Sequence, residues 1–90
     1  MKKTIITVVG KDRTGIIAKV SGYLADRSIN ILDISQTIMQ DLFTMIMLVD
    51  TQESGIQAKE LSADLKKIGE ELSLTINIQH DGVFTSMHRV

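Results

Sequence analysis

The sequence has no cysteine, no proline and no tryptophan, and its 90 residues include one tyrosine and two phenylalanines. Without cysteine there is no disulfide and no thiol chemistry. The scarcity of aromatics argues against a sheet that stacks nucleic-acid bases. Neither charge dominates: Lys and Arg number 10 and Asp and Glu 11, for a net charge of −1. The basic residues are scattered, so no face is built for a polyanion or an anionic membrane. No apolar run reaches the roughly 18 residues of a membrane span. Met1-Lys2-Lys3 is not followed by a long apolar region or a small-residue cleavage site. These absences point to a cytoplasmic protein that touches neither nucleic acid nor membrane. His80 and His88 lack the spacing of paired metal ligands and lie far from any Ser–Asp arrangement. No metal, cofactor or catalytic constellation is indicated, and the protein is not expected to be an enzyme.

What is present is a patterned chain, 43% apolar, of a length for one domain. The segment 3–9 is β-branched from Thr4 on and apolar on both faces, as a central strand requires. From Ile16 the apolar spacing changes to four, through Val20 and Leu24, and predicts a helix over 13–27. A second stripe of Ala18, Ser21, Gly22 and Ala25 is small enough to admit a neighbouring helix. The segment 30–40 alternates Leu32, Ile34, Gln36 and Ile38 with Asp33, Ser35, Thr37 and Met39, the pattern of an edge strand. Gln40-Asp41 reverses the chain into a strand over 42–49 that is apolar on both faces. Ala58, Leu61, Leu65, Ile68 and Leu72 predict an amphipathic helix over 56–72. Alternation over 74–80 predicts a second edge strand.

The order is βαββαβ. Right-handed crossovers then favour an antiparallel sheet ordered 4-1-3-2, with both helices on one face. The fold class is α+β, a ferredoxin-like sandwich. Residues 1–80 form the domain, and 81–90 a tail whose apolar positions 83, 84, 87 and 90 fit a short helix. The sheet face away from the helices is expected to show some of Ile5, Val9, Phe43, Met45, Met47 and Val49, an apolar patch that calls for a partner or for the tail.

The turn Gly10-Lys11-Asp12-Arg13-Thr14-Gly15 joins the first strand to the first helix. Gly10 permits a sharp exit from the strand, where positive φ is tolerated. Asp12 or Thr14 can cap the helix. Gly15 lets a ligand or backbone come close to the first turn. The amides from Thr14 to Ile17, with Ile16 among them, suit a carboxylate.

The run Gly10-Lys11-Asp12-Arg13-Thr14-Gly15-Ile16-Ile17-Ala18-Lys19-Val20, followed by Leu24-Ala25-Asp26-Arg27-Ser28-Ile29-Asn30-Ile31, resembles an ACT domain. The tail makes the chain similar to small stand-alone bacterial ACT proteins and to the repeats of the glycine-cleavage transcriptional repressor. The resemblance implies a regulatory module that binds an amino acid at a homodimer interface. In serine-binding members, a His and an Asn of the first loop and an Asn opening the second strand contact the ligand. Those positions are Gly10, Asp12 and Asn30 in this sequence. Only Asn30 keeps the family residue. Thr14 stands for the usual Pro and Ser28 for the usual Gly. Asp12 favours an ammonium over a carboxylate. The expected ligand-binding set is Gly10, Asp12, Thr14, Gly15, Ile16 and Asn30, with Asn30 supplied across a dyad. The alternative is a ligand-free module that dimerises or docks on a partner protein.

Overall fold

The computed structural model describes residues 3–11 and 14–80. Asp12, Arg13 and the expected tail helix lie outside the described residues. The elements run β1 (Lys3–Lys11), α1 (Ile16–Asp26), β2 (Asn30–Met39), β3 (Leu42–Asp50), α2 (Ala58–Leu72) and β4 (Leu74–His80). The four strands form one antiparallel sheet in the order β2-β3-β1-β4. This is the 4-1-3-2 order expected from the chain, and the fold is the ferredoxin-like α+β sandwich.

The register decides which residues meet the helices. Ile6 lies opposite Met47 and Val8 opposite Met45, and all four are completely buried. Phe43 and Val49 share their face and their burial. Ile16, Val20 and Leu24 of α1 and Leu61, Leu65 and Ile68 of α2 close the core from above. Each such side chain contributes about 1.5–3 kcal/mol when fully buried. The expectation that Phe43, Met45, Met47 and Val49 could lie on the bare face is therefore corrected. The outer face of β3 carries Leu42, Thr44, Ile46 and Leu48 instead. Both faces of this strand are apolar, so only its pairing to β1 fixes which one is inside. Ile5 and Val9 do fall on the outer face, opposite Leu48 and Thr44.

Helix α1 starts later than its sequence pattern. Its N-cap is Gly15, at φ 93°, and no side chain among the described residues caps it; the expected Thr14 cap does not form. Gly10 does not turn either. It continues β1, between Phe43 and Leu74. A Cβ there would fall 2.5 Å from Leu74 Cδ2 and 3.2 Å from Leu74 Cα, so close packing is what requires glycine. At its other end α1 closes with paired bonds: Ser28 N–H donates to the Ala25 carbonyl and Ile29 N–H to that of Leu24. That arrangement needs a left-handed residue just past the helix. Ser28, where the family usually has glycine, takes φ 60°. Ile29 then tucks into the core beside Leu24.

The helices meet through polar groups. Tyr23 Oη donates to Asp64 at 2.7 Å, and Arg27 reaches Asp64 and Glu60 at 2.9 Å each. The Arg27 guanidinium also lies 5.8 Å from the Tyr23 ring centre. The small stripe of α1 is not a close helix contact. A Cβ on Gly22 would meet nothing within 4 Å. Its neighbourhood is an open groove shared with Ile68 and Glu71.

Candidate ligand site

The left-handed Gly15 turns the chain so that α1 begins with its amides facing outward. The first intrahelical bond runs from Lys19 N–H to the Gly15 carbonyl at 2.9 Å. The N–H groups of Ile16, Ile17 and Ala18 therefore precede the helical ladder. Together with the helix dipole they make this end attractive to an anion.

Beside that end lies a cleft of about 230 Å³, lined by Gly15, Ile16, Ile17, Ala18, Gln36, Ile38 and Phe43. Helix α1 supplies one wall and the β2–β3 hairpin the other. Among the described residues the lining carries no charged side chain. Gln36 is the polar side chain that the described residues bring to it, with both a donor and an acceptor. Ile16 turns its side chain into the core and is 2% exposed, so only its backbone is free to serve a ligand.

The expected site residues divide between two ends of the sheet. Gly15 and Ile16 line the cleft, and Thr14 precedes them as an exposed turn residue. Gly10 sits at the same end but is packed against Leu74 and does not line the cleft. Asn30 opens β2, opposite Asp50, at the far end. The intervening strand spans about 30 Å at about 3.3 Å per residue. There Asn30 borders a separate polar hollow with Ser28, Ile29 and Glu53. It is a paired strand residue, and the left-handed conformation at this turn belongs to Ser28. One chain thus does not bring Asn30 to the Gly15 end.

Gln36, Ile38 and Phe43 were missed as lining residues. They come from a hairpin more than twenty residues along the chain. The available signal was the register: at the loop end of the sheet, the inward positions of β2 and β3 face the start of α1. Among the described residues no group of His, Asp and Glu is placed to hold a metal. The described aromatics are Tyr23 on α1 and Phe43 in the core, so neither stands on the outer sheet face.

Comparison with known proteins settles the family. The ACT domain model matches residues 2–79. The chain belongs to the ACT domain family. It is 51% identical over 90 residues to a UPF0237 protein of Methanococcus maripaludis, with both chains covered completely. An ACT domain protein from Streptococcus pneumoniae superposes with a TM-score of 0.82 at 43% identity, covering 92% of this chain and 93% of that one. The regulatory subunit of aspartate kinase from Thermus thermophilus, in its ligand-free form, superposes with a TM-score of 0.68 at 25% identity. That match covers 87% of this chain and 50% of the other. The ACT fold is a regulatory one, and no helix among the described residues is long and apolar enough to cross a membrane.

Proposed function

We propose that this ACT domain is a cytoplasmic, non-catalytic sensor: a homodimer that binds an amino acid at its interface and passes the bound state to a partner protein. The observation that carries the reading is the start of α1, which has no side-chain cap among the described residues and opens onto an apolar cleft. A free amino acid matches that chemistry. Its carboxylate suits the amides of Ile16 to Ala18. Its ammonium suits Asp12 through a charge-assisted bond. Its side chain suits the uncharged lining of Ile17, Ile38 and Phe43. The cleft volume lies below the roughly 300–1,000 Å³ of sites for drug-sized ligands, which favours a small metabolite. The likeness to the regulatory subunit of an aspartate kinase supports a regulatory role. Asn30 belongs to the site through the partner chain, since about 20–26 Å of strand separates it within one chain from Gln36 and Ile38, which meet Gly15 in the cleft.

A thermal-shift screen against the twenty amino acids, followed by calorimetric titration, tests this. Stabilisation follows RT ln(1 + [L]/Kd), so millimolar ligand reveals weak binding. Asn30→Ala is expected to weaken the selected amino acid by about 1–2 kcal/mol, the loss of one partner to a polar group. Gly15→Val should abolish binding. If Asn30→Ala and Asp12→Ala both bind with unchanged affinity as folded dimers, the ligand does not sit at this loop. If none of the twenty binds, the chain acts as a ligand-free interaction module.

A further inference from the structure

Apolar side chains reach the surface in two places. One is the helix side of β2, where Ile34 is 43% and Ile38 54% exposed, next to the cleft. The other is the outer sheet face, away from both helices. The register sets that face out in rows across the strands. One row runs Gln79, Ile5, Leu48, Asp33, from β4 to β2, and the next runs Asn77, Thr7, Ile46, Ser35.

The rows are not equally covered. Ile5 is 9% exposed and Ile46 is 47% exposed, although both are isoleucines on strands with a neighbour on each side. Leu48 and Gln79, beside Ile5, are half-buried, whereas Asn77 and Ser35 in the next row are exposed. The helices do not account for this, because both pack on the opposite face. The covered row is the one beside the end of β4, where His80 lies opposite Thr4.

We propose that segment 81–90 of the same chain folds back across the outer face as a short helix and seats on Ile5 and Leu48. Residues 81–90 lie outside the described residues, and their sequence follows the row in order. Asp81-Gly82 is turn chemistry and lets the chain reverse out of β4. Val83, Phe84 and Met87 share one face at helical spacing and suit Ile5 and Leu48. Arg89 comes last, where Asp33 ends the row as the one charge of β2. The lengths agree. Three strand spacings of about 4.8 Å carry the row about 14 Å from β4 to β2. The eight steps from 81 to 89 span about 12 Å as a helix. Extended, they would span about 26 Å and overrun the sheet. A helix is about 10–12 Å across, and successive rows are about 7 Å apart, so Ile46 falls at its margin and Leu42 beyond it. A second sheet laid face to face would cover Ile46 and Leu42 as fully as Ile5. The graded burial, present within one chain, favours a short element entering from the β4 end. While seated, it closes this face to partner proteins and leaves the homodimer of the proposed function to other surfaces.

The chain has no tryptophan, so Phe84→Trp provides a single reporter. Its fluorescence in the folded protein should lie to the blue of that in urea and resist quenching by acrylamide. Adding Leu48→Lys should shift the emission to that of the unfolded chain, while circular dichroism remains that of a folded domain. Adding Leu42→Lys, about 20 Å along the same strand, should leave it blue. If Leu48→Lys does not fold, Asp33→Lys takes its place at an exposed position, and its repulsion of Arg89 should shift the emission to the red. Refolding the Phe84→Trp, Leu48→Lys chain with an excess of wild type then separates the two sources of cover. Red emission should persist, because each tail seats on its own sheet. A return to blue would put the tail on a second copy and overturn the proposal. Solvent-like emission from folded Phe84→Trp, or blue emission unchanged in the folded face variant, overturns it as well.

Discussion

At the residue scale, the glycines of this chain have different reasons to be glycine, and substitution separates them. Gly15 holds φ 93°, and a Cβ there would meet nothing within 4 Å, so replacing it costs strain and no clash. Gly15→Ala is expected to destabilise by about 1–2 kcal/mol, the penalty of a left-handed conformation with a Cβ. Gly22 has equal space but sits inside α1 with ordinary helical geometry. Gly22→Ala should stabilise by about 0.5–1 kcal/mol. Urea denaturation of the two variants checks the opposite signs. Gly10→Ala differs from both, because its methyl meets the Leu74 backbone as well as its side chain. Ser28 carries the same lesson in reverse. It tolerates φ 60° because the paired helix-ending bonds and the burial of Ile29 hold it there.

At the element scale, the two helices are joined by the group of Tyr23, Arg27, Glu60 and Asp64. Burial, followed by the hydrogen bond to the Asp64 carboxylate, pushes the Tyr23 phenol well above its ordinary value of 10.0. The folded chain therefore keeps that proton at a pH where the unfolded chain has released it. Stability falls with rising pH wherever the folded state binds more protons. The stability supplied by this group should thus be intact below pH 10 and decline above it. Comparing melting temperatures of wild type and Tyr23→Phe between about pH 9 and 11 isolates the effect, since other titrating groups are common to both. The wild type should show the steeper fall. The same scale shows what periodicity can and cannot reveal. The six elements and their order were legible because spacings of two and four alternate cleanly. The start of α1 was not. Sequence signals for a cap are oxygen-bearing side chains, whereas Gly15 ends the loop through its backbone angle. The inner face of β3 was not legible either, since Phe43, Met45, Met47 and Val49 alternate with residues nearly as apolar. The exposure of Ile34 and Ile38 was hidden for a further reason. Alternation identifies an apolar face, but not whether a helix lies over it. The cleft was half legible: Gly15 and Ile16 are local to the turn, while Gln36, Ile38 and Phe43 depend on the hairpin register.

At the scale of the whole molecule, the face assignment itself is open to measurement. Met47 is fully buried beneath the helices, while its neighbour Ile46 is 47% exposed on the outer face. Met47→Ala is expected to cost about 2–5 kcal/mol. A domain of this kind has only about 5–15 kcal/mol in total, so that variant should be close to unfolding. Ile46→Ala should cost less than about 1 kcal/mol, as an exposed site away from the core does. Denaturant midpoints of the two variants decide it; equal losses would mean that the sheet is covered on both faces. Coupling is also a property of the whole molecule. If an amino acid bridges two copies, it must tighten the dimer by the same factor by which dimerisation tightens the amino acid.

The strand order has a consequence for how the chain is made. Of these six elements β1 leaves the ribosome before the others, yet its neighbours in the sheet are β3 and β4. The hairpin of β2 and β3 closes locally, because two residues join its strands. β1 must wait for β3 on one side, and on the other for β4, which begins at Leu74. Until then its edge, with Ile5, Ile6, Val8 and Val9, is open to strands from any other chain. Long-range pairing of this kind folds slowly and exposes apolar surface meanwhile. A nascent chain halted before β4 is therefore a species for chaperones or proteases, and the emergence of β4 commits the domain to its fold.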